Sequence, residues 1–172
     1  AKHQSFVESY YQVQSDKLTS NVRVVQLSDL HLHEFGDHNA DLIERITALK
    51  PDIIAITGDM NDKLVDDYSV VTDLCTELVK IAPVYPGNHE WPTIVFHNSP
   101  IGTDLEAIGV HFLADETETL EVNGNTIAIG GVAEAPASYE RYASAYFESF
   151  EQLDAFKLLL VHYPEYFLED GF

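Results

Sequence analysis

A run of four apolar residues, Ile53-Ile54-Ala55-Ile56, does the most to limit how this chain can fold. A strand with one wet face alternates apolar and polar residues, whereas an unbroken short apolar run marks a strand covered on both faces. Such strands belong to mostly parallel sheets, which need crossover helices. The flanking segments supply them. Asn39 to Leu49 carries Leu42, Ile43, Ile46 and Leu49 at helical spacing, and Pro51 stops it. Asp66 to Lys80 reads as a second helix, with Val70, Val71, Leu74, Leu78 and Ile81 on one side. Val22 to Leu27 reads as the strand before the first helix, and Val84-Tyr85 as a short strand after the second. The first half therefore predicts a mostly parallel central sheet. Phe6 to Val13 is rich in β-forming residues and reads as an edge strand.

The second half changes character. Val110 to Leu113, Thr117 to Val122 and Thr126 to Ile129 read as short strands, and Asn123-Gly124 is a hairpin turn signal. Tyr139 to Leu153 reads as a helix, and Phe156 to Val161 as another buried strand. There is no internal repeat, low-complexity tract or linker. At 172 residues the chain has the length of one domain, residues 1–172, with a core of ordinary size.

Chemistry-bearing residues stand just after the strands. Asp29 and His31 follow the first, Asp59 follows the apolar run, Asn88 and His89 follow Val84-Tyr85, and His162 follows the last. In open α/β sheets, ligands bind outside the carboxyl ends of the strands. Separate segments thus deliver Asp, His and Asn side chains to one edge. Carboxylate, imidazole and amide oxygen suit Mn, Fe, Zn or similar divalent ions. The lone cysteine, Cys75, rules out an internal disulfide and a thiolate cluster, and its apolar helical setting reads as buried. Asp29 and His31 lie two apart, so an extended chain would point both into one site. Gly58 and Gly87 permit tight backbone turns beside the ligands. His33, His38, His97 and His111 read as surface or structural, and His3 as solvent-exposed.

The charge balance narrows the substrate. With 29 acidic and 9 basic residues the net charge is −20, so broad capture of DNA or RNA is disfavoured. A small phosphate remains possible, because bound divalent cations invert the local field. No apolar run is long enough to span a bilayer.

At these residues the chain resembles the calcineurin-like metallophosphoesterase family. The segments that carry the resemblance are Leu27-Ser28-Asp29-Leu30-His31, Gly58-Asp59-Met60-Asn61-Asp62, Gly87-Asn88-His89-Glu90 and Leu160-Val161-His162. Lys50-Pro51-Asp52-Ile53-Ile54 and Gly109-Val110-His111-Phe112-Leu113 look closest to a bacterial branch of membrane-associated or exported phosphodiesterases. The resemblance implies an α/β fold, a sandwich of two sheets flanked by helices in four αββα layers, with two divalent metal ions at one edge. It implies that Asp29 and His31 bind one metal, that Asp59 bridges both, and that Asn88 and His162 bind the second. His89 lies over the substrate as general acid, and Asp62 is the nearest match to the acid that orients it. The implied reaction is hydrolysis of a small phosphomonoester or phosphodiester, such as a nucleotide or a lipid-linked phosphate. A non-catalytic metal-binding scaffold of the same fold is the alternative.

Some features depart from the family pattern. The family closes with a Gly-His-x-His segment that adds a histidine to each metal, and this chain reaches Phe172 without one. The expectation is a sequence incomplete at its C-terminus. The strand before Gly87 is short, and Ala133 stands where relatives often carry an acid. Membrane association would come through a segment other than these residues, and the oligomeric state is left open.

Overall fold

The computed structural model describes residues 5–60, 67–87, 99–132 and 144–162. In chain order the elements are β1 (Val24–Leu27), α1 (Ala40–Leu49), β2 (Ile53–Ile56), α2 (Ser69–Leu78), β3 (Val84–Pro86), α3 (Ile101–Ile108), β4 (Glu116–Val122), β5 (Asn125–Gly131), α4 (Ser144–Glu151) and β6 (Phe156–Leu160). They form two three-stranded sheets, ordered β1-β2-β3 and β4-β5-β6. The first is parallel throughout; in the second, β4 and β5 are antiparallel and β6 runs parallel to β5.

The apolar run explains the layering. All four β2 residues are buried, and successive side chains point to opposite faces. Ile54 and Ile56 join Leu42, Ile46, Val71, Leu74, Cys75, Leu78 and Leu105 in the core beneath α1, α2 and α3. Ile53 and Ala55 join Tyr85, Val122, Ile127, Ile129 and Leu160 in the core between the two sheets. On the far side of the second sheet, Phe147 of α4 packs with Val132, Tyr146, Leu159 and Val161. Gly130 on β5 makes this close approach possible: a Cβ there would come within 2.8 Å of the Phe150 ring and press on Tyr146 Oη. The result is the expected α/β sandwich in four layers, with Cys75 buried as expected.

The hairpin signal also holds, since Asn123 (φ 51°) and Gly124 (φ 77°) both take positive φ between β4 and β5. α1 ends as expected before Pro51, with Lys50 in the left-handed region at φ 51°. Asp66 lies outside the described residues, but α2 starts later than expected, at Ser69: Asp67 and Tyr68 are not helical, and Asp67 Oδ1 accepts the Ser69 N–H at 3.0 Å.

Several expectations are corrected. Phe6 to Val13 forms no strand. Strand formation needs a partner edge, and residues 5–14 make no backbone–backbone hydrogen bond among the described residues. Their side chains clip the segment to α1 and its neighbours instead. Arg45 donates to both Glu8 carboxylate oxygens at 2.8 and 2.7 Å, and Phe6 meets Phe35 edge-on at 5.6 Å. Val110 to Leu113 is a connection rather than a strand, tied to β3 by the His111 backbone N–H donating to the Val84 carbonyl. β6 is half-buried from Phe156 to Leu159 and buried only at Leu160, rather than buried along its length. α3 was not expected from the sequence, although Ile101, Leu105 and Ile108 carry a helical spacing. No helix among the described residues is long and apolar enough to cross a membrane.

Candidate metal centre

The carboxyl ends of β1 and β2 continue into two loops that are stitched to each other. Asp29 N–H donates to the Gly58 carbonyl at 3.2 Å, His31 N–H to the Asp59 carbonyl at 2.9 Å and Leu32 N–H to the Met60 carbonyl at 3.1 Å. The parallel pairing of the strands is thereby carried past their ends. Leu30 and Met60 are buried in the helix-side core, which anchors each loop beside its polar residues. Leu30 faces inward, and Asp29 and His31 stay on the accessible side.

The chain here is not extended. Asp29 (φ 56°), His31 (φ 46°), Leu32 (φ 57°) and Asp59 (φ 52°) all occupy the left-handed region, and only Gly58 (φ 105°) does so without a Cβ penalty. The expected reason for Asp29 and His31 sharing a side, the two-residue period of an extended strand, is therefore replaced by a left-handed turn. Each such non-glycine residue costs on the order of 1–3 kcal/mol and persists only where its surroundings fix it. Gly87 takes no positive φ; its value is close approach, since a Cβ there would lie 3.2 Å from Thr57 Cα.

One oxygen-and-nitrogen cluster results. Asp29, Asp59 and His162 each offer a ligand atom, and these atoms all lie within 4.8 Å of one another. His31 joins through Asp59, with Nε2 at 3.5 Å from Oδ2. The same Oδ2 lies 3.7 Å from His162 Nε2. Asp59 is thus the meeting point of imidazoles from two directions. His162 belongs to the strand end of the second sheet, whereas Asp29, His31 and Asp59 belong to the first, so the cluster bridges the sheets.

Two orienting contacts were not read from the sequence. His162 Nδ1 lies 2.9 Å from the Thr57 carbonyl oxygen. In the neutral ring, a proton donated there leaves Nε2 as the acceptor nitrogen facing Asp59, the state a metal ligand requires. The partner is a main-chain carbonyl, so no side-chain motif could signal it. Ser28 Oγ donates to Asp29 Oδ2 at 2.6 Å; its position beside Asp29 was the available signal. The donor set of two carboxylates and two imidazoles fits a divalent ion of the Mn, Fe or Zn type.

The structure therefore brings together Asp29, His31, Asp59 and His162. Asn88, His89 and Asp62 lie outside the described residues, as do His3, His97 and Ala133. His33 is held by the Leu30 carbonyl at 3.0 Å, and His38 is largely exposed beside Glu34 and Asp37. His111, which reads as surface or structural, is structural: its Nδ1 lies 2.8 Å from Glu118 Oε2 and its ring stands beside that of Tyr85.

Comparison with known proteins gives two findings. Residues 22–166 match the family described as calcineurin-like phosphoesterase. A Caenorhabditis elegans protein named "Putative metallophosphoesterase" is 32% identical over 119 residues, which make up 66% of this chain and 24% of that protein. The chain spans about a quarter of the length of this relative.

Proposed function

The chain belongs to the calcineurin-like phosphoesterase family, and from that premise we propose that its site hydrolyses a small phosphoester with the help of divalent cations. The convergence of Asp29, Asp59 and His162 donor atoms within 4.8 Å, at the edge where the two sheets meet, carries this reading. Asp29, His31, Asp59 and His162 would hold the cations. Bound divalent cations supply Lewis-acid polarisation of a phosphoryl oxygen and lower the pKa of water enough to give a nucleophile at neutral pH.

The finer proposal is a two-cation site. Asp59 Oδ2 lies 3.5 Å from His31 Nε2 and 3.7 Å from His162 Nε2, which supports Asp59 as the shared ligand. Asn88 would complete the second set, and His89, with Asp62 as its orienting acid, would donate a proton to the leaving alkoxide. A positioned acid of this kind contributes about 10²–10⁴-fold. The net charge of −20 supports a small substrate over long nucleic acid. Lys50-Pro51-Asp52-Ile53-Ile54 and Gly109 to Leu113 support adding membrane association or export, through a segment other than these residues, to the same proposal.

The test uses full-length protein, Mn²⁺ and bis-p-nitrophenyl phosphate. Hydrolysis is expected to vanish with chelator and return with Mn²⁺. Asp59→Asn is expected to lose on the order of 10²–10³-fold in rate, the scale of removing a group that stabilises transition-state charge. Activity that survives chelation, or a fully active Asp59→Asn protein, would overturn the proposal.

A further inference from the structure

The site draws its donors from two sheets, so its geometry depends on how the sheets are registered on each other. The core between them is apolar, and apolar packing has no directional preference. Direction comes from polar ties. Near the amino ends of the strands of the first sheet, Asn123 Nδ2 donates to Asp52 Oδ1 at 3.0 Å. Nearer the site stands a second tie that the proposed chemistry does not use. Buried Tyr85, on β3, donates its hydroxyl to Glu118 Oε1 on β4 at 2.9 Å. Glu118 Oε2 is 2.8 Å from His111 Nδ1. His111 in turn donates its backbone N–H to the Val84 carbonyl at 2.9 Å and lays its ring beside that of Tyr85, at 4.8 Å. Burial and the Glu118 carboxylate push the Tyr85 phenol upward, so it stays a protonated donor.

The register ties this network to the metal centre. Tyr85 pairs with Ala55 on β2, whose next residues are Ile56 and Thr57, the carbonyl partner of His162. Glu118 pairs with Ile129, and Ile129 with Leu158 on β6, the strand that ends just before His162. The Tyr85–Glu118 bond thus joins the two sheets only a few residues short of the loops that carry the ligands. We propose that Glu118, held by His111 and Tyr85, is a positioning residue that sets the register of the two sheets and with it the distance from His162 to Asp59 and Asp29. This inference rests on the metal-centre reading.

The experiment measures Mn²⁺ affinity of the full-length protein by titration calorimetry, and melting temperature in chelator. Tyr85→Phe and Glu118→Ala are expected to weaken Mn²⁺ binding by about 10-fold or more, the scale of losing a group that orients a ligand. Glu118→Gln keeps an oxygen for the Tyr85 hydroxyl and is expected to recover most of that affinity. Ile127→Val, in the same core, is expected to lower the melting temperature and leave Mn²⁺ affinity unchanged. Where Tyr85→Phe fails to fold, His111→Gln serves in its place, at the half-buried end of the network. Unchanged affinity in the network variants, or an equal loss in Ile127→Val, would overturn the inference and leave the metal-centre reading standing. No Mn²⁺ binding by the parent protein, or undiminished binding by Asp59→Asn, would overturn both.

Discussion

The Thr57 peptide sits at a crowded crossing. Its carbonyl holds His162 Nδ1 at 2.9 Å, its N–H donates to Leu27, and its Cα stands 3.2 Å from where a Cβ on Gly87 would be. The same Cβ would lie 3.3 Å from the Ile56 carbonyl oxygen. Both neighbours are backbone of the central strand, so neither can turn aside as a flexible side chain would. Gly87→Ala is therefore expected to destabilise the protein by about 1–3 kcal/mol, the usual cost of overpacking. It is also expected to weaken Mn²⁺ binding, because the shifted Thr57 carbonyl is the group that orients His162. Urea unfolding in chelator and Mn²⁺ titration check the two effects separately; wild-type values in both would refute the close-packing argument. The candidate cluster was legible at this scale because Asp29, His31, Asp59 and His162 each follow a strand. Their setting was not, since left-handed backbone and a carbonyl partner leave no mark on residue type.

Elements were legible where local pattern and tertiary environment agree. The run Ile53 to Ile56 is buried on both faces in sequence and in space, and α1 ends where Pro51 demands. Phe6 to Val13 failed because β-like composition records what a strand tolerates, whereas pairing depends on an edge elsewhere in the chain. α3 was legible in principle, since Ile101, Leu105 and Ile108 carry its period over eight residues. The clipped N-terminal segment carries its own prediction. Arg45, donating to Glu8, and then Tyr10 hold the Glu8 carboxyl at about 2, below its usual 4.5. A depressed carboxylate contributes stability above its unfolded pKa and loses it as pH falls toward the folded one. Docking of residues 5–14 is thus expected to be complete above about pH 4.5 and to weaken as pH falls toward 2. Tyr10 chemical shifts over this range would follow the change, and Glu8→Gln should abolish it. On the opposite face, Gly130→Ala would drive a methyl into Phe150 and Tyr146 of α4. A loss of about 1–3 kcal/mol in urea unfolding is expected, and a neutral result would mean that α4 moves aside freely.

At the scale of the whole molecule, the two sheets meet under a strong negative charge. With a net −20 the folded chain repels itself, and added salt should relieve part of that strain. A divalent cation would do something that salt does not. His162 comes from the second sheet and Asp29 and Asp59 from the first, so an ion among them would cross-link the sandwich. An ion that binds only the folded state stabilises it by about 2.7 kcal/mol at a concentration 100 times its Kd. For a chain of this size each kcal/mol shifts the melting temperature by about 2–4 °C. Saturating Mn²⁺ is therefore expected to raise the melting temperature by roughly 5–10 °C beyond the effect of NaCl at equal ionic strength. Asp59→Asn removes the carboxylate that both imidazoles face and should abolish this excess while leaving the salt response intact. If Mn²⁺ and NaCl acted alike at equal ionic strength, the ion would be screening the surface rather than joining the sheets. If the excess survived in Asp59→Asn, the joining ion would sit somewhere other than the cluster of Asp29, Asp59 and His162.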